Sequence, residues 1–174
     1  AIGPVIVTTA VALLQRTFSP AELKNRFRRF KLGQRIDPLD LVEWLEDQGY
    51  EPEAQVSQKG EIALRGGILD VFPLASPWPV RFEFFGDELE SLRTFDPQTQ
   101  LSREKIDRAT ISPGGELGIL KQQLCANANY ATGRLGDYLA GDSIFLLIDP
   151  EEIAGRVADY LGQVPGGDLF HDNW

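Results

Sequence analysis

The chain has 174 residues, 43% of them hydrophobic and 25% charged, with a formal net charge of −9. These proportions fit one folded domain, or one and a half small ones, and exclude a disordered chain. The acidic balance argues against the whole chain acting as a DNA clamp, because duplex binding draws on Lys and Arg at phosphates.

In chain order, Pro4–Thr9 (PVIVTT) is a β-branched run that predicts a buried strand, and VALLQR after it predicts one or two helical turns. Ser19, Pro20 and Glu22 make a helix start, with Ser19 as cap, Pro20 at the first helical position and Glu22 completing a capping box. RRFKLGQRI alternates, with Phe30 and Leu32 on one side and Arg29 and Lys31 on the other, which predicts a strand. Between Lys24 and Arg35 there are six basic residues and no acid. This stretch reads as a solvated helix and strand, or as a contact for nucleic acid or an acidic partner.

DPLDLVEWLEDQGY carries the clearest helix pattern. Asp37 caps it, Pro38 opens it, Leu41, Trp44, Leu45 and Gln48 form the stripe, and Gly49 suits the left-handed C-terminal cap. Residues 112–118 (SPGGELG) read as a loop, and residues 115–141 as partly helical with breaks at Gly133 and Gly136. DSIFLLIDPEE predicts a strand followed by a helix capped by Asp149, with Ile153, Val157, Tyr160 and Leu161 as its apolar stripe. The final GQVPGGDLFHDNW reads as a loop-like, frayed end. The absence of Met and the start at Ala1 suggest a piece of a longer chain, and a strand–helix unit at each end suggests a middle region inserted into another domain.

That middle region holds two hairpins. A two-residue turn at Gly66–Gly67 pairs Leu64 with Leu69 and Ile62 with Val71 on a core face, leaving Ala63, Arg65, Asp70 and Phe72 on the other. A turn at Gly86–Asp87 puts Val80, Phe82, Phe84 and Leu89 on the core face, with Arg81, Glu83 and Phe85 opposite. Leu92 falls out of step, which predicts a bulge or irregularity near Ser91. If the hairpins share one sheet, Arg65, Arg81, Glu83, Asp70 and Phe85 share one face. That face is either a half-solvated surface of ordinary ion pairs or an interface, since exposed Phe flanked by Arg matches hot-spot composition. Ala63 beside Arg65 would leave that guanidinium uncovered for a partner's carboxylate.

Residues 24–108, and most specifically residues 60–100, resemble the middle domain shared by the excision-repair protein UvrB and the bacterial transcription-repair coupling factors. The resemblance rests on Arg65-Gly66, on Leu69-Asp70-Val71-Phe72-Pro73, on the run from Arg81 to Glu88, and on Leu92 to Asp96. It implies an α+β fold: an antiparallel hairpin sheet with packed helices, flanked by partial α/β segments. It also implies a docking platform for UvrA, the damage-recognition ATPase of nucleotide excision repair. The family's contact positions fall on Arg65, Arg81 and Phe85, with Glu83 at an acidic position.

UvrB-like sequences usually carry Arg-x-Arg before the first turn, where this chain has Ala63-Leu64-Arg65. VALLQR and FDPQTQLS resemble the coupling factors more closely, with a UvrB piece of the same role as the alternative. The implied layout is residues 1–23 as the end of a first-domain lobe, 24–108 as the interaction domain, and 109–174 as a return into the first domain. The family's motor, its RNA polymerase contacts and its DNA contacts would lie outside this stretch.

No signature of catalysis stands beside this. There is no G-x-x-x-x-G-K-[ST] phosphate loop, and GGELG lacks dinucleotide spacing. Cys125 and His171 are single, which excludes an internal disulfide, leaves zinc unsupported and fits a reducing cytoplasm. Cys125 reads as a small packing residue, and no Asp/Glu pair is singled out as acid and base. The expectations are no catalytic residue, no metal, no cofactor, no membrane span, no signal peptide and a cytoplasmic location, with UvrA as partner. The alternative is direct DNA binding through the basic segment 24–35.

Overall fold

Turn chemistry sets the register of the central sheet. Gly66 and Gly86 both take positive φ, 62° each, a conformation glycine adopts without steric cost at a two-residue hairpin turn. The computed structural model describes residues 5–127, 129–166 and 168–171. Its elements are α1 (Ala10–Leu14), β1 (Thr17–Phe18), α2 (Pro20–Arg26), β2 (Arg28–Lys31), α3 (Pro38–Asp47), β3 (Glu51–Pro52), β4 (Glu61–Arg65), β5 (Ile68–Val71), β6 (Val80–Phe85), β7 (Glu88–Phe95), β8 (Ser102–Lys105), β9 (Arg108–Ile111), α4 (Glu116–Ala126), β10 (Thr132–Gly133), a 3-10 turn (Leu135–Tyr138) and α5 (Pro150–Gln163). The chain forms two compact units: Leu23–Ile119, and a second made from the segments on either side of it.

In the first unit, six strands follow the order β3-β4-β5-β6-β7-β8, antiparallel except for the short β3–β4 pair. Leu64 pairs with Leu69 and Ile62 with Val71, and across the second hairpin Phe82 pairs with Leu92 and Phe85 with Glu88. Between Glu83 and Phe84 the register shifts, because Ser91 faces Glu83 while Leu89 faces Phe84. The extra residue, Glu90, lets Leu89 and Leu92 reach the same side, as the predicted irregularity near Ser91 required. The mixed α+β architecture with an antiparallel hairpin sheet agrees with the sequence reading.

One face of this sheet builds the main core. Ile62, Leu69, Val71, Val80, Phe82, Leu89 and Leu92 bury with Phe30, Leu41, Leu45, Tyr50 and Ile111. The Phe82 ring meets Phe30 edge-on at 5.3 Å. Helix α3 supplies Leu41 and Leu45, and its start is fixed by Asp37, whose carboxylate accepts a 2.8 Å bond from the Leu39 amide. Its end is fixed by Gly49 at φ 80°, where a Cβ would meet the Gly115 backbone at 2.8 Å. The loop predicted over residues 112–118 is shorter: residues 112–115 form it, and Glu116 to Gly118 already belong to α4. Strand β2 stops at Lys31, where the prediction ran on to Ile36: Gly33 at φ 75° turns the chain, so Leu32 is exposed while Phe30 is buried.

The opposite face carries a smaller core that alternation did not anticipate. Val56, Ala63, Phe72 and Phe95 bury together there. Val56 comes from the loop before β4, and that loop is tied down by Glu61, whose carboxylate accepts from the Ser57 amide (2.6 Å), the Gln58 amide (2.7 Å) and the Ser57 hydroxyl (3.1 Å).

In the second unit, α1 and α5 pack together and β1 pairs antiparallel with β10. Ser19 accepts from the Glu22 amide at 3.2 Å, the predicted cap of α2. Val157 is buried on α5 within the predicted stripe. Three expectations fail here. Pro4 lies outside the described residues, and the rest of the PVIVTT run forms no strand. IFLLI forms none either, with Ile144 95% exposed. A β-rich run becomes a strand only when a neighbour completes its hydrogen-bond ladder, and neither run has such a neighbour among the described residues. Asp149 precedes α5 in a left-handed conformation, φ 54°, and makes no side-chain cap.

Two outcomes follow from this packing. Phe84 lies against the main core and Phe85 is open, so Phe84→Ala lowers stability by about 2–4 kcal/mol while Phe85→Ala changes it by less than about 0.5 kcal/mol, read by thermal melts. Burial pushes the Glu61 carboxyl up, but the bonds from Ser57 and Gln58 outweigh it and hold its pKa below the ordinary value. A depressed folded pKa gives stability that is present above the unfolded value and lost as pH falls through the folded one. Melts between about pH 5 and pH 3 therefore show a shallower acid loss for Glu61→Gln than for the parent chain.

Candidate functional site

The second face of the sheet carries the residues singled out above. Along its rows Ala63 faces Asp70, which faces Arg81, which faces Arg93, while Arg65 faces Ile68, which faces Glu83. Arg65, Arg81, Glu83 and Phe85 thus share a face, as alternation requires.

Asp70 organises this face. It is fully buried, and both its oxygens are used: Oδ1 accepts from Arg81 Nε at 2.7 Å, and Oδ2 accepts from Arg81 Nη2 at 2.8 Å and from Arg65 Nη2 at 2.9 Å. Arg81 grips the carboxylate with two parallel bonds, the fork geometry a lysine cannot supply. Its guanidinium lies 4.4 Å from the centre of the Phe95 ring, on the smaller core. The bonds to Asp70 raise the Arg81 pKa above its ordinary value against the opposing pull of burial, so it stays charged. Gln100 joins clamp and core: its amide donates to the Val56 carbonyl at 3.0 Å and the Pro97 carbonyl at 2.8 Å, and its oxygen accepts from Arg81 at 3.4 Å. Gln100 is held at φ 61°, a strained conformation for a non-glycine residue that these bonds offset.

The two arginines have different freedom. The Arg81 side chain is only 15% exposed, with its inner edge committed to Asp70. The Arg65 side chain is 48% exposed and gives Asp70 a single Nη2 bond, which leaves its other donors facing outward. The expectation that Arg65 is uncovered therefore holds for part of the guanidinium, and the carboxylate it already meets belongs to this chain. Arg81 and Arg93 stand directly opposite, a repulsive pairing answered by an acid for each, Asp70 for Arg81 and Glu83 for Arg93.

At the hairpin tips this covered network gives way to an open apolar surface. Phe85 is 75% exposed and Ile68 is also exposed. Phe85 follows Glu83 on the same face of β6, and Ile68 faces Glu83 across the ladder. Ile68, Arg93 and Gln100 were not singled out from the sequence. The alternation that placed Arg65 also places Ile68 and Arg93, so that signal was present. Gln100 lies in a turn, where no periodicity points to a face.

Among the described residues no group of three or more His, Cys, Asp or Glu is placed to hold a metal, and no helix is long and apolar enough to cross a membrane. Cys125 is exposed, not packed as its small size had suggested, and the α4 surface around it is open.

An antiparallel sheet that buries one face on helices and presents an ordered Arg-and-Phe surface on the other defines a sheet-based interaction domain. The profile of the UvrB interaction domain matches residues 29–117, half of the chain, and the chain belongs to that family. It is similar to transcription-repair-coupling factors: 38% identical to that of Bacillus subtilis over 119 residues (68% of this chain, 10% of that protein), 41% to that of Haemophilus influenzae over 106 (60% and 9%), and 36% to that of Escherichia coli K12 over 112 (64% and 10%). The matched part of this chain spans about a tenth of the length of those relatives.

Removing Asp70 strands the buried guanidinium of Arg81, so Asp70→Ala lowers stability by about 3–5 kcal/mol. Arg65→Ala leaves the Asp70–Arg81 fork intact and costs less than about 1 kcal/mol. Urea unfolding of the two variants checks the difference.

Proposed function

We propose that the chain is a non-catalytic docking module that recruits UvrA as part of a transcription-repair coupling factor, through the face bearing Arg65, Arg81, Glu83 and Phe85. The observation that carries this reading is the exposed Phe85 on the same sheet face as a half-free Arg65, on a surface ordered by the chain's own ion pairs. An aromatic anchor flanked by arginine is the composition of binding hot spots. Preorganised donors lose little side-chain freedom when a partner arrives.

The roles divide by geometry. Arg65 offers donors to an acceptor on the partner, and Phe85 offers a ring to a pocket. Arg81 holds the Asp70 carboxylate, and Glu83 holds Arg93 at the margin. Family membership supports the docking role, and the likeness to coupling factors supports this branch over a UvrB piece. Outer residues 1–23 and 109–174 are proposed as portions of the coupling factor's first domain. Its motor, the DNA contacts that the motor makes and its contacts to RNA polymerase lie elsewhere in the parent, and its location is the cytoplasm.

Titration with purified UvrA tests the reading. Arg65→Ala and Phe85→Ala each keep the parent's melting temperature and weaken binding, Arg65→Ala by about 2–5 kcal/mol if it meets a buried carboxylate. Undiminished binding by both folded variants refutes the assignment.

A further inference from the structure

The basic segment noted in the sequence is not absorbed by the docking face. Part of it forms β2, which pairs antiparallel with β9 in a two-stranded ribbon: Arg29 faces Thr110, Phe30 faces Ala109 and Lys31 faces Arg108. Phe30, Ala109 and Ile111 are buried, so alternation turns Arg29, Lys31, Arg108 and Thr110 outward, and all four are exposed. Arg28 points elsewhere, with its guanidinium 5.3 Å from the Trp44 ring centre and 5.4 Å from that of Phe30.

This outward face is electrostatically incomplete. Lys31 and Arg108 are directly opposite, a like-charge pairing that disfavours the ladder. The cross-strand arginines of the docking face each have an acid, but among the described residues Arg29, Lys31 and Arg108 make no side-chain hydrogen bond or ion pair with an acid. Arg35, further along, is paired with Asp87 at 3.7 Å. A patch of three unanswered cations in a chain of net charge −9 calls for an anion from outside.

We propose that the β2–β9 ribbon is a contact for the phosphate backbone of nucleic acid, made by Arg29, Lys31 and Arg108 with the Thr110 hydroxyl. The composition selects phosphate over an acidic protein. Within the two strands every outward side chain is a donor of the kind that binds phosphate oxygens, and the exposed apolar residues Phe27 and Leu32 lie beyond the ends of β2 and not at the centre, where a protein interface places its anchor. Three cations make an accessory contact that reads charge and not sequence, and the acidic remainder of the chain keeps it weak. It stands apart from the docking face, so the two readings can fail separately.

The test is fluorescence anisotropy of a labelled DNA duplex of random sequence, titrated with the full chain. Binding is expected to weaken about 40-fold between about 50 and 200 mM salt, from a log–log slope of about −2.7 for three neutralised phosphates. Lys31→Glu replaces the like-charge pair with an attractive one, so it stays folded by thermal melt while binding falls. Arg29→Glu combined with Arg108→Glu abolishes what is left, and neither variant alters UvrA binding. The proposal is overturned if no binding is seen at the lower salt, if Lys31→Glu binds as the parent does, or if a poly-glutamate peptide binds the ribbon as tightly as the duplex.

Discussion

A fully buried carboxylate with two arginines on it governs the second face of the central sheet. Asp70 lies in the centre of the sheet, between Leu69 and Val71, which both face the main core. An isolated charge there would carry a desolvation cost of several kcal/mol. Three hydrogen bonds from two guanidinium groups offset that cost and engage both oxygens. Because one carboxylate serves two cations, Arg65 gives it only one bond and keeps half of its side chain exposed. The same clamp sets the distance of Arg81 from Phe95 and, through Gln100, of both from Val56.

The sheet is accordingly graded along its second face. At one end Ala63, Phe72, Phe95 and Val56 form a dry satellite core. In the middle lies the Asp70 network. At the hairpin tips Ile68 and Phe85 are open. Such a gradient gives an exposed aromatic a rigid base, since the strands that carry it are fixed on one side by the main core and on the other by the clamp. Single exposed hydrophobic residues are common on protein surfaces. Phe85 differs because it stands next along its strand face from Glu83, which the Arg93 ion pair holds in place.

Much of this was legible in the sequence because strand alternation and glycine turns are local signals. Gly66 and Gly86 fixed two registers, and those registers put Arg65, Arg81, Glu83 and Phe85 together. The misfit of Leu92 announced the irregularity opposite Glu83. What stayed hidden depends on residues distant along the chain. Asp70 reads as a solvated acid until Arg65 and Arg81 converge on it, and Phe72 reads as a misplaced aromatic until Val56 and Phe95 cover it. The runs at Val5–Val7 and Ile144–Ile148 show the converse error: β-rich composition describes what a strand is made of, while the ladder requires a neighbour.

The proposed role of this face as the docking surface is tested most directly by hydrogen–deuterium exchange of the chain with and without UvrA. The amides of the two hairpin tips, Arg65 to Ile68 and Phe84 to Glu88, exchange more slowly in the complex, and those of β2 and β9 are unchanged. Protection confined to β2 and β9, or to α5, with the hairpin tips exchanging as in the free chain, would contradict the account.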